Sequence, residues 1–145
     1  MVTTVAILKR RLREGKTYDD FRKAWYHTVG FGTKNRMYTL LNIADPKEVI
    51  VIGFTESDTK NLIDGLRIDV KERLAHPLDE VIEPEIDRTF GLLLSDYDFS
   101  PEGSIAYREP SIGGTKTDIN EIMGDIATIR SAFDKAARER DTTKG

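Results

Sequence analysis

Two adjacent runs, Met37-Tyr-Thr-Leu-Leu-Asn-Ile43 and Glu48-Val-Ile-Val-Ile-Gly-Phe54, constrain this chain more than any other part of it. Both are rich in β-branched and large apolar residues. Between them, Ala44-Asp-Pro-Lys47 supplies two turn formers, so the pair predicts a β-hairpin. The second run is apolar on both sides, with Val49 and Val51 on one face of an extended chain and Ile50, Ile52 and Phe54 on the other. Such a strand needs cover on both faces of its sheet.

The flanking segments supply part of that cover. Val5–Leu12 reads as a strand ending in the turn Arg13–Lys16. Thr17 can cap a helix whose first turn carries Asp19 and Asp20, where the helix dipole favours negative charge. Phe21, Ala24, Trp25 and Val29 form its apolar face, and Gly30-Phe-Gly32 closes it, so the prediction is a helix over Thr17–Val29. Ser57 or Asp58 caps a second helix carrying Leu62, Ile63, Leu66, Val70 and Leu74, which stops before Pro77. The acidic stretch holding Pro77 and Pro84 predicts loop, with a short helical turn near Glu80, and Phe90–Tyr97 predicts a fourth strand. The order β-α-β-β-α-β is the α+β, ferredoxin-like arrangement, an antiparallel sheet with both helices on one face. Its other apolar face is too large to leave in water, which predicts a homodimer.

Beyond Phe99 the composition changes to Ser100-Pro-Glu-Gly103-Ser, Pro110 and Gly113-Gly114, a loop-rich connector with room for one short strand at Ile105–Tyr107. A last helix is expected from Thr117 or Asp118. Its apolar residues Ile119, Ile122, Ile126, Ile129, Phe133 and Ala136 are spaced 3, 4, 3, 4 and 3 apart. That narrow seam suits a helix lying along another helix, in its own subunit or in a partner. Asp141–Gly145 is expected to fray. The expected organisation is one domain, with residues 1–99 as the ferredoxin-like unit and 100–145 as its loop and C-terminal helical extension.

Composition removes whole classes of chemistry. There is no Cys among the 145 residues, hence no disulfide, thiolate zinc site, iron–sulfur cluster or cysteine nucleophile. Only His27 and His76 exist, too few for an all-histidine metal site, and His76 with Asp79 and Glu80 makes a weak candidate; no metal is expected. Phosphate-loop, dinucleotide, zinc-protease and serine-hydrolase motifs are missing. A net charge of −3 argues against a general nucleic-acid binder. Residues 9–23 are nevertheless basic and 79–102 acidic, as solvated surface or as segments that meet. No apolar run approaches the ~20 residues of a membrane span, and no signal-peptide pattern opens the chain. The expectation is a cytoplasmic protein without membrane or nucleic-acid partners.

Val5–Leu66 resembles the dimeric α/β-barrel superfamily, in particular its antibiotic-biosynthesis-monooxygenase-like and EthD-like branches. The resembling features are the apolar first strand, Gly15-Lys16, Asp20-Phe21-x-x-x-Trp25, Gly30-Phe31, the hairpin around Pro46, and Ile52-Gly-Phe-Thr-Glu-Ser57. With the fourth strand the similarity covers roughly residues 4–99. It implies a homodimeric α/β barrel whose subunits each hold a small-molecule pocket between sheet and helices. It also implies a cofactor-independent, monooxygenase-like reaction on an aromatic or polyketide-like substrate.

In that frame the candidate catalytic residues are His27 and Tyr38, and the candidate binding residues are Trp25, Tyr26 and Asn42, with no cofactor. Trp25 shares a face with Phe21, as core or as pocket wall. If the helix has ended before it, His27 can serve at a pocket mouth as an acid or base near neutral pH. Asn42 is either a turn former beside Asp45-Pro46 or a pocket donor. Arg10 is either surface charge or an anchor for an anionic substrate. The alternative reading is a non-catalytic accessory protein that uses the C-terminal helix for oligomerisation or partner binding.

Overall fold

The structure is a computed structural model that describes residues 2–25, 30, 32–75, 77–94, 99–104 and 119–144. Strand β1 (Val2–Leu12) leads through a turn at Gly15 to helix α1 (Tyr18–Ala24). Gly15 has a φ of 79°, a left-handed geometry that glycine adopts without strain. Strands β2 (Lys34–Asn42) and β3 (Asp45–Ser57) form the expected hairpin, followed by helix α2 (Thr59–Ala75), strand β4 (Ile82–Leu92) and helix α3 (Ile119–Lys144). The four strands lie in the order β2-β3-β1-β4 with every pairing antiparallel. That is the ferredoxin-like α+β topology read from the sequence, extended by a C-terminal helix.

Several boundaries differ from the sequence reading. Helix α1 spans seven residues and ends at Ala24, not at Val29; Trp25 is its extended C-cap, with φ −92° and ψ 98°. The start is as expected: Asp20 N–H donates to Thr17 Oγ1 at 3.3 Å and Thr17 N–H to Asp20 Oδ2 at 2.8 Å, a reciprocal capping box. The hairpin turn is Ile43-Ala44, and Asp45, Pro46 and Lys47 belong to β3. Asp58, rather than Ser57, caps α2 by accepting from Asn61 N–H at 2.8 Å. Helix α3 continues through Asp141–Lys144, where fraying was expected. The short strand expected at Ile105–Tyr107 lies outside the described residues.

The largest correction is β4, which starts at Ile82 and ends at Leu92 instead of covering Phe90–Tyr97. Pro84 made this segment read as loop. As an edge strand β4 pairs only with β1, and its register shifts between Arg10↔Ile86 and Leu12↔Ile82, so Pro84 falls in a bulge that asks no ladder bond of it. The basic segment of β1 and the acidic segment of β4 thus meet within one chain, Lys9 opposite Asp87.

Register assigns the two faces of the sheet. Thr4, Ala6, Leu8, Arg10 and Leu12 share the helix-covered face with Val49, Val51 and Gly53, and with Arg88, Phe90 and Leu92. The packed core occupies one end of that face, where Leu12, Phe21, Val49, Val51, Leu78, Val81 and Ile82 come together. The opposite face carries Val5, Ile7, Ile50, Ile52, Phe54, Tyr38 and Leu40. Tyr38 is 48% and Leu40 45% exposed there, so this face lies bare in the single chain. Helix α3 packs along α2, and its Ile129, 5% exposed, is buried.

Candidate functional site

Along β1 the helix-covered face runs from solid core at Leu12 into open space. A cavity of about 110 Å3 begins at Arg10, Leu8 and Ala6 and is walled by Trp25, Met37, Val51, Leu62 and Phe90. The composition explains the gap. Ala6 and Gly53 are cross-strand partners, and together they leave the floor of this stretch without large side chains. A Cβ added at Gly53 would meet Met37 Cγ at 3.7 Å, an ordinary contact, so glycine here leaves room rather than relieving a clash.

Trp25 is positioned by α1. Its backbone N–H donates to the Phe21 carbonyl at 2.8 Å, and its ring stacks on Phe21 with centroids 5.9 Å apart and planes 11° apart. Phe21, 1% exposed, is anchored in the core, so one side of the indole is fixed while the residue also borders the cavity. The two alternatives for Trp25, core and pocket wall, are therefore both realised.

The polar groups around the cavity are unequal in sign. Arg10 and Arg88 come from the sheet, and Asp69 comes from α2, two cations against one carboxylate. Arg88 lies opposite Leu8 and Arg10 opposite Ile86, so the arginines are diagonal neighbours on adjacent strands of one face. Side chains as long as Arg can reach a common ligand atom across that spacing of roughly 7–8 Å. Asn35 and Thr33 add amide and hydroxyl groups, and Thr33 Oγ1 is buried without a hydrogen-bond partner. An apolar chamber with a few convergent polar groups is the usual form of a small-molecule site. Arg10, Arg88 and Asp69 each also take part in an interaction within the chain, and the wall as a whole carries one cation more than it has carboxylates.

The structure separates the residues singled out from the sequence. Trp25 borders the chamber. Tyr38 lies on the other side of the sheet, its ring edge-on to Phe54 at 6.0 Å, over a shallow cleft of about 250 Å3 with Lys34 and Arg36. The expected grouping of Trp25 with Tyr38 is corrected: alternation along β2 sends Met37 to the chamber and Tyr38 away from it. Asn42 does not line the chamber. Its Oδ1 accepts from Ala44 N–H at 3.0 Å and its Nδ2 donates to Glu48 Oε1 at 3.2 Å, the work of a turn former. Tyr26, His27 and His76 lie outside the described residues. Arg88, Asp69, Asn35 and Thr33 were missed. Arg88 was hidden in a segment read as loop, and the others by the lack of any pattern that tells a pocket-facing polar residue from a solvated one. Gly53 in the middle of an apolar strand was the available signal for open space.

Fold and chamber together define a class, a ferredoxin-like domain with a small cavity between sheet and helices that is bordered by two arginines. No family model matches the sequence, and no curated protein matches it either. Among solved structures, the chain is similar to the putative antibiotic biosynthesis monooxygenase of Bacillus cereus, with 16% identity and a TM-score of 0.45 over 68% of this chain and 99% of that one. The ferredoxin-like assignment rests on the strand order and pairing given above.

Among the described residues there is no group of three or more metal-ligating side chains, and no helix is long and apolar enough to cross a membrane.

Proposed function

We propose that this chain binds a small aromatic acid in the helix-side chamber, the ring lying between Trp25, Leu8, Met37 and Val51 and its anionic oxygen meeting Arg10 and Arg88. The observation that carries the reading is the coincidence of an apolar cavity with two arginines and one carboxylate. The cavity, about 110 Å3, is somewhat smaller than one of ~150 Å3 that takes up benzene, which limits the ligand's buried part to a single ring. Residues 1–99 supply the floor and walls, and 100–145 act as an extension of the same domain.

As an enzyme the chain acts in the manner of a cofactor-independent monooxygenase, the activity its sequence motifs resemble. The cations would hold an enolate or phenolate in its electron-rich, deprotonated form. Oxidation of an activated ring CH2 to C=O by O2 then balances without an external reductant, one oxygen atom entering the product and the other leaving as water. The competing reading, an accessory protein acting through the C-terminal helix, has less support because α3 spends part of its seam inside the chain, on α2 and over the sheet.

A direct test uses 4-nitrophenol, whose phenolate absorbs visible light. Saturable binding with a lowered apparent pKa for the bound phenol, reversed in Arg10→Gln and Arg88→Gln, is the expected result. No binding, or binding with a pKa unmoved or raised, overturns the reading.

The working form is a homodimer in which a second copy covers the bare sheet face. The support is physical: seven large apolar side chains, from Val5 and Ile7 to Tyr38 and Leu40, share that face, and Tyr38, Leu40 and Phe54 among them are exposed. The cysteine-free chain suits the reducing cytoplasm.

A further inference from the structure

A second cavity, of about 200 Å3, opens on the same sheet face beneath α3, lined by Thr4, Leu92, Ile126, Ile129 and Arg130. Phe90 lines both this annex and the main chamber. The register shows why it stands between them. Phe90 lies opposite Ala6, at the end of the chamber, and the next pair on that face, Thr4 opposite Leu92, belongs to the annex.

Two buried side-chain oxygens among the described residues have no hydrogen-bond partner, Thr33 Oγ1 and Thr4 Oγ1. The first residue lines the chamber and the second, 1% exposed, lines the annex. Apart from the Thr4 hydroxyl and Arg130, the annex wall is apolar, formed by Phe90, Leu92, Ile126 and Ile129, and it suits an apolar group. The chamber alone is below the size of ordinary ligand sites, whereas the two volumes together reach the lower end of the roughly 300–1,000 Å3 such sites occupy. From Arg10 to Thr4 the chain advances six residues, roughly 20 Å of strand at ~3.3 Å per residue.

We infer that chamber and annex are two subsites for one elongated ligand: an aromatic acid whose ring lies in the chamber, with an apolar tail that passes Phe90 and ends beneath α3. Phe90 determines specificity, admitting a linear tail and rejecting a branched one. The inference rests on the chamber reading above and adds the tail, its length and its gatekeeper.

The test is a series of 4-alkylbenzoates, from benzoate to 4-octylbenzoate, titrated into the full chain while the Ile126 and Ile129 methyl resonances are followed. Affinity should rise about threefold to fourfold per methylene once the tail passes Phe90, with the methyl signals shifting only for the longer tails. Ile126→Trp, which fills the annex, should remove the gain for long tails and leave benzoate binding unchanged. In the wild type, 4-butylbenzoate should bind at least tenfold tighter than 4-tert-butylbenzoate, and Phe90→Ala should bring that ratio close to one. Benzoate binding without tail dependence, or tail dependence that survives Ile126→Trp, overturns the annex and leaves the chamber standing. Absence of benzoate binding overturns both.

Discussion

Thr4 and Asp20 show how single residues can be at odds with, or in service of, the fold. Thr4 sits at a buried strand position where Val would pack equally well without an unpaired oxygen. Thr4→Val should therefore raise stability by about 1–3 kcal/mol in urea titrations; an unchanged or lowered midpoint would mean that the hydroxyl has a partner in solution. Asp20 works for the fold. Its carboxylate accepts from the backbone N–H and hydroxyl of Thr17, which hold its pKa below the usual carboxylate range. A depressed folded pKa means that this stabilisation is present above the ordinary value and is lost as pH falls through the folded one. Stability should thus decline below about pH 4, and the decline should be shallower in Asp20→Asn, as followed by helical signal against pH. Asp45, lowered by its 2.7 Å contact with Arg11, acts in the same sense.

Elements were legible where local chemistry and tertiary need agreed. The hairpin, the Thr17 cap of α1 and the 3-4 seam of α3 each followed from residues a few positions apart; that Asp20 answers Thr17 in a reciprocal box is seen only in the structure. Strand β4 did not, because its pairing depends on β1, seventy or more residues away, and its Pro84 is tolerated only through a bulge at the sheet edge. Helix α1 ends early because Trp25 takes up extended backbone geometry; its contact with Phe21 four residues back is one that a continuing helix would also make, so the apolar periodicity ran on past the stop. The same limit applied to the chamber: Trp25, singled out from the sequence, borders it, whereas Arg88 and Asp69 were not singled out, since they converge only once β4 pairs with β1 and α2 packs over the sheet. Helix α3 closes the annex end of the face, so Ile129→Ala should destabilise the chain by about 2–5 kcal/mol in urea unfolding. It should also weaken long-tailed benzoates more than benzoate itself. A loss near zero would mean that α3 rests only loosely on the sheet.

The whole molecule is a sheet with two different faces. One is filled at the Leu12 end and progressively hollow toward Thr4; the other is apolar and bare. The bare face predicts a dimer by sedimentation equilibrium and a monomer for Ile52→Lys, with the chamber still able to bind because Ile52 points away from it. A wild-type monomer at all concentrations would contradict this. The central claim, that the hollow face is the ligand site, has a built-in reporter, for Trp25 is the sole tryptophan of the chain. In a 1H–15N titration with benzoate, the single indole N–H resonance and the backbone amides of Leu8, Arg10, Val51 and Arg88 should shift together and saturate with one dissociation constant. An indole resonance that stays fixed while the amides around Tyr38 and Phe54 move would place the ligand on the wrong side of the sheet and contradict the account.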